Sequence, residues 1–217
     1  MHKILVFMIF SATLIAAPLR ASETYDLIFK TGTLSDVSKD DGLTYNREVE
    51  LVADTDLGAR NTGMVRLSFE DDDMARLKFT QGEKSKNLGA FPATVGNPII
   101  MYFVETVLRD VAQQAGGSPF YIRNRIKESL VQVAKVDDVS VSKGGKAVHA
   151  SRITLRPFED DKNRDKMKGY GDLTLTFTMS PDVPGWYQSL VATVDGSDAG
   201  VPLYKNALVL EGSEVSQ

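Results

Sequence analysis

The chain contains no cysteine. That absence excludes disulfide cross-links, thiolate nucleophiles, cysteine-ligated metals and a lipid anchor on a cysteine. Histidine is almost as scarce, with His2 and His149 the only two. A histidine-clustered zinc site cannot be assembled, and His149 alone remains for general-base work once residue 2 falls in a leader. Positive charge is in deficit as well, 25 basic residues standing against 29 acidic ones. A nucleic acid or an anionic membrane surface as main partner would call for a concentrated positive field, and none is visible in the sequence. No internal repeat, low-complexity segment or long linker divides the chain, which reads as one domain behind a leader.

What is present begins with that leader. His2 and Lys3 make a short basic start, ILVFMIFSATLIAAP an apolar middle, and Ala21 a small residue for cleavage. The apolar stretch is short for a transmembrane span, so residues 1–21 are expected to be a signal peptide and residues 22–217 a single α+β envelope domain. An uncleaved anchor is the alternative. Removing Lys3 and Arg20 leaves 23 basic against 29 acidic residues, a balance of −6. A domain of this size buries roughly 70% of the surface its unfolded chain exposes, so it holds together without cross-links. A disulfide-free domain behind such a leader points to a Gram-negative periplasm.

Outside the leader, one stretch carries a long helical signal. Asn97 and Pro98 form a cap and a first helical position, Gly116 and Gly117 a left-handed stop, and Ser118 with Pro119 a second start. The segment Ile99–Val104 has no polar side, which predicts a first turn buried all round. Further on, Val107, Leu108 and Val111 keep an apolar stripe, while Glu105, Arg109, Asp110 and Gln113 are expected to face water. In the second helix Ile122, Ile126, Leu130 and Val133 recur at helical spacing.

Elsewhere the apolar period is two. Strands are expected at residues 24–30, 45–53, 64–69 and 74–79, with Asp41–Gly42 as a tight hairpin turn, residues 54–61 as a turn region, and Glu70–Asp73 as an acidic break. Behind the helices the expected strands lie around 139–141, 147–158, 170–179, 186–194 and 203–210. This makes an antiparallel meander of about nine strands, interrupted once by a helical hairpin around which it would curl as an open barrel. Such an architecture resembles the periplasmic lipoprotein and lipid carriers of the LolA type. The resemblance is architectural and carries no residue roles. Met101, Phe103, Leu108, Phe120 and Ile122 are the expected lining of any ligand cavity between helices and sheet, although a filled core uses the same residue types.

Four patterns suggest chemistry and each has a plainer reading. GGSPF at 116–120 lacks the second glycine of a nucleophile elbow, and Ser118 serves as a helix cap. Ser140 to Lys143 with Lys30–Thr31–Gly32 imitates a penicillin-recognising pair in the wrong order. His149 sits alone on a strand. Asp161, Asn163, Asp165 and Asp172 keep calcium-loop spacing, yet Lys166 replaces the turn glycine, and four cations in the segment oppose a dication. No catalytic residue, metal or cofactor is therefore expected. The leading expectation is a non-enzymatic periplasmic interaction or envelope-maintenance module whose partner is another envelope protein. The alternatives are a carrier for an apolar ligand such as a lipid, and a carboxylate-dependent hydrolase.

Overall fold

The computed structural model describes residues 21–198 and 200–214, so the expected leader lies almost wholly outside the described residues. Over these residues the fold is α+β, with four helices and one antiparallel sheet. The helices are α1 (Ala21–Ile28), α2 (Thr55–Asn61), α3 (Ile99–Ala115) and α4 (Pro119–Leu130). The strands of the first half are β1 (Leu43–Leu51), β2 (Gly63–Glu70), β3 (Met74–Gln81) and β4 (Lys84–Pro92). The second half supplies β5 (Val136–Lys143), β6 (Lys146–Leu155), β7 (Thr174–Met179), β8 (Tyr187–Asp195), β9 (Pro202–Leu210) and the two-residue β10 (Ser213–Glu214). Strand order is β10-β5-β6-β7-β8-β9-β1-β2-β3-β4, and the sheet is not closed. Two meanders are thus joined by the β1–β9 ladder, which runs from Tyr45 opposite Leu210 to Leu51 opposite Tyr204.

Strand alternation sorts the side chains. On β1, Leu43, Tyr45, Arg47, Val49 and Leu51 are buried, while Asn46 and Glu48 on the other face are exposed. Registered pairs carry the apolar face across the sheet as a row of Ile153, Phe177, Leu190 and Leu208, which ends at Arg47. Helix α3 covers that face, with the Phe103 ring meeting Phe177 edge-on at 6.1 Å between centroids. Such a pair adds about 1 kcal/mol beyond the area it buries.

Several sequence expectations are corrected. Residues 24–30 form no strand: Thr24 and Ile28 are buried at helical spacing in α1, and the ring of Tyr25 lies 4.8 Å from that of Phe29, the residue that follows the helix. A six-residue apolar alternation is compatible with either period, and tertiary bonds decide here. Trp186 Nε1 donates to the Leu27 carbonyl and the Tyr187 hydroxyl to that of Ile28, satisfying acceptors that a helix end leaves open. Asp41–Gly42 accordingly closes no hairpin. Gly42, at φ +64°, turns the chain into β1, and a Cβ there would collide with the Leu67 carbonyl.

The expected turn at 54–61 is α2, whose first turn is capped by Asp54 Oδ1 accepting from Leu57 N at 2.9 Å. Strand β4 is unforeseen because its residues are largely exposed and show no apolar alternation. Nor is the start of α3 buried all round. Ile99, Ile100 and Phe103 are buried, but Met101 is 57% exposed. Asp110, expected on the wet side, is only 7% exposed.

Candidate functional site

Two helices and three strands leave a cleft of about 460 Å³ between α3 and the β1–β4 half of the sheet. From α3 it receives Tyr102, Thr106, Arg109, Asp110 and Gln113, and from β3 and β4 Phe79, Gln81, Lys84, Ser85, Lys86 and Leu88. Leu57, Arg60 and Asn61 of α2 close one end, and Arg47 lies within. Five of these residues are basic and one, Asp110, is acidic. Gln81 fastens the wall, its Nε2 donating to the Ala59 and Thr62 carbonyls at 2.6 and 2.7 Å.

Arg47 is the unusual member. The β1 alternation places it between Tyr45 and Val49 on the inner face, where it is 6% exposed. Its Nη1 donates to the Tyr102 hydroxyl at 2.9 Å, and its Nε is buried with no partner. The guanidinium carbon lies 5.4 Å from the centroid of the Tyr102 ring and 5.9 Å from that of Phe79. Both rings offer it electron-rich faces. Opposite Arg47 in the β1–β2 register stands Gly63, where a Cβ would come within 3.0 Å of the Phe79 ring. The missing side chain leaves Phe79 the room to lie beside the guanidinium.

Asp110 shares the cleft without pairing with Arg47. Its Oδ2 accepts from the Tyr204 hydroxyl at 2.9 Å and from Asn206 Nδ2 at 3.1 Å. Asn206 also donates to Thr106 Oγ1, which itself donates to the Phe103 carbonyl. Burial pushes the Asp110 carboxyl above the usual carboxylate range, outweighing the Tyr204 bond, the charge of Arg47, the Asn206 bond and the charge of Arg109. Burial likewise raises the Tyr204 phenol, helped by the neighbouring Asp110 charge.

The residues expected to line one cavity are distributed over three environments. Phe103 and Ile122 are fully packed in the core, and Phe120 is 69% exposed at the start of α4. Met101 and Leu108 line a separate groove of about 320 Å³ with Tyr25, Phe29, Ile126 and Leu130. This groove lies on the other side of α3 from Arg47 and is largely apolar. Sequence reasoning missed Arg47, Asp110 and Asn206, although a basic residue inside the apolar alternation Leu43, Tyr45, Val49, Leu51 is a readable signal.

The calcium-like spacing is occupied otherwise. Asp161 accepts from the Tyr121 hydroxyl at 2.5 Å and from Asn163 N at 2.7 Å, and Arg125 lies 3.5 Å away. Burial works to raise the Asp161 carboxyl, but these three partners prevail and hold it below the usual range. Asp172 is engaged by Arg164. Among the described residues no group of metal-binding side chains gathers. His149 lies 3.5 Å from Asp138, with both side chains exposed on the β5–β6 hairpin. No protein-family model matches the chain, and no curated protein matches it.

Proposed function

We propose that the chain is an exported, non-catalytic cell-envelope protein that binds a small anionic ligand in the cleft between α3 and β1–β4. The observation that carries this reading is the charge of the lining, five basic side chains against a single carboxyl already bonded to Tyr204 and Asn206. A low-dielectric wall concentrates such a field and raises the local concentration of anions. Hydrolysis by paired carboxylates needs a second acid, and the cleft lining contains only Asp110. Export to the periplasm rests on the basic start, apolar middle and small cleavage residue of positions 1–21.

In this reading the sheet curls as an open barrel around the α3–α4 hairpin. Chain connectivity supports it. Ser213 pairs with Lys143 at the β5 edge, yet follows Leu210 of β9 by three residues. Three residues reach at most about 11 Å, whereas five strand spacings across a flat sheet amount to about 24 Å. Bending of the β5–β9 half reconciles the two distances.

Titration of isotope-labelled protein with phenyl phosphate tests the reading through amide shifts. Movement at Ser85, Tyr102 and Gln113 is expected with phenyl phosphate or with benzoate in its place, and its absence with both overturns the proposal. Movement confined to Met101, Leu108 and Val131 favours the second reading, a carrier for an apolar ligand, which rests on the groove those residues line.

A further inference from the structure

We propose that Arg47 is the buried anchor of the cleft, taking the oxyanion of a carboxylate or phosphate ester whose flat apolar body rests against Phe79 and Tyr102. This rests on the cleft being the ligand site and goes further by naming the anchoring atoms and the ligand's chemical class. Four observations converge on it.

Arg47 is nine-tenths buried, and no carboxylate among the described residues lies close enough to pair with it. A buried cation ordinarily has an anionic partner in contact, whereas this one, among the described residues, touches a phenol and two ring faces and meets the Asp110 charge only from beyond pairing distance. The side-on edge of a guanidinium, Nε with its neighbouring Nη, is the edge that grips a carboxylate or phosphate through two parallel bonds. Here Nε is the atom left without a partner. The carboxyl in the cleft lining, that of Asp110, is bonded elsewhere, its Oδ2 accepting from Tyr204 and Asn206.

The rings define the rest of the ligand. Phe79 and Tyr102 flank the guanidinium, and with Leu57 and Leu88 they provide the apolar part of the lining. Nε is covered from water, so an anion reaches it as a ring turns aside. Tyr102, half-buried and joined to Arg47 through its hydroxyl, is the ring placed to do so. Its hydroxyl oxygen holds the place of a ligand oxygen.

The test uses benzoate and phenyl phosphate as the two oxyanion probes and benzyl alcohol as the uncharged control, with calorimetry on wild-type protein, Arg47→Lys, Arg47→Gln and Tyr102→Phe. Both probes, or the one whose oxyanion the ligand carries, are expected to bind wild type at least about tenfold more tightly than benzyl alcohol. Arg47→Gln should lose about tenfold or more, and Arg47→Lys, which keeps the charge but not the fork, several-fold. Tyr102→Phe should bind as well as wild type or better. If Arg47→Gln fails to fold, the lysine and phenylalanine variants decide the matter.

Equal binding of benzyl alcohol, or probe affinities unchanged by Arg47→Lys and Arg47→Gln, overturns the anchor. In that second case, shifts persisting at Ser85 and Gln113 would leave the cleft as the ligand site with its anchor elsewhere. If neither probe binds wild type, the anchor and the cleft reading both fall. The stronger of the two probes identifies the ligand as carboxylate or phosphate.

Discussion

At Asp110 burial and charge oppose each other, and the consequence is a defined pH dependence. Its carboxyl titrates above the ordinary range in the folded chain. As pH rises past the unfolded value of about 4, the unfolded carboxyl ionises while the native one still holds its proton. The native state then binds more protons, so this residue's contribution to stability falls with rising pH until the native carboxyl also ionises, and is level above that. Asp110→Asn keeps the shape without the titration. Its stability relative to wild type should therefore increase across that window and flatten beyond it, as read by urea unfolding at a series of pH values. Tyr204→Phe acts oppositely. It deletes the 2.9 Å bond to Oδ2 while the carboxyl stays buried. A loss of about 1–3 kcal/mol is expected, together with a further rise of the Asp110 pKa measurable by carbon-detected titration. Little of this was legible in the sequence, because the 3.6-residue period assigns Asp110 to a face only within a turn's tolerance. The packing of α3 on β9, which decides between faces, is a contact between residues nearly a hundred positions apart. Arg47 was legible in principle, since its place in a two-residue alternation is unambiguous.

At the scale of elements, the entry to α3 is fixed by one buried side chain. Asn97 Oδ1 accepts from Ile99 N at 3.1 Å, and its Nδ2 donates to the Tyr45 hydroxyl and the Gly185 carbonyl at 3.0 and 2.9 Å. The residue thus caps the helix and ties it to β1 and to the turn before β8. A cap alone contributes about 1 kcal/mol. Asn97→Ala also strips bonds from buried Tyr45 and Gly185, so about 2–3 kcal/mol is expected in equilibrium unfolding. The helix pair was readable because Asn97–Pro98 and Ser118–Pro119 mark both starts and Gly116 the end of α3, whereas α4 stops at Leu130 with neither glycine nor proline after it, short of the expected Val133. Gly116 indeed closes α3 in the left-handed conformation, at φ 74°. By contrast α1 depends on Trp186 and Tyr187, more than 150 residues away along the chain, for its terminal bonds. Strand β4, as an edge strand with one neighbour, needs no apolar face to be held in place, and its lysines are the residues such an edge carries to discourage further pairing.

Over the whole molecule, a net charge of −4 coexists with a cationic cleft. The general negative field slows the approach of anions, and the rim must overcome it locally. Lys84 and Lys86 stand exposed on β4, whereas Arg47 is buried behind them. Salt separates the two contributions, since screening acts over about 10 Å at 0.1 M ionic strength and about 3 Å at 1 M, and reaches exposed charges far more than buried ones. Phenyl phosphate should therefore bind wild type progressively more weakly as salt increases and then reach a plateau, not zero. The Lys84→Gln, Lys86→Gln double variant should begin near that plateau and vary little with salt, because the rim term is already gone. A double variant with the full wild-type salt dependence would assign the rim attraction to Arg60 and Arg109, at the α2 and α3 ends of the cleft. Continued decay of wild-type binding at the highest salt would mean that no buried cation holds the anion, and the cleft would then be an electrostatic surface without a floor.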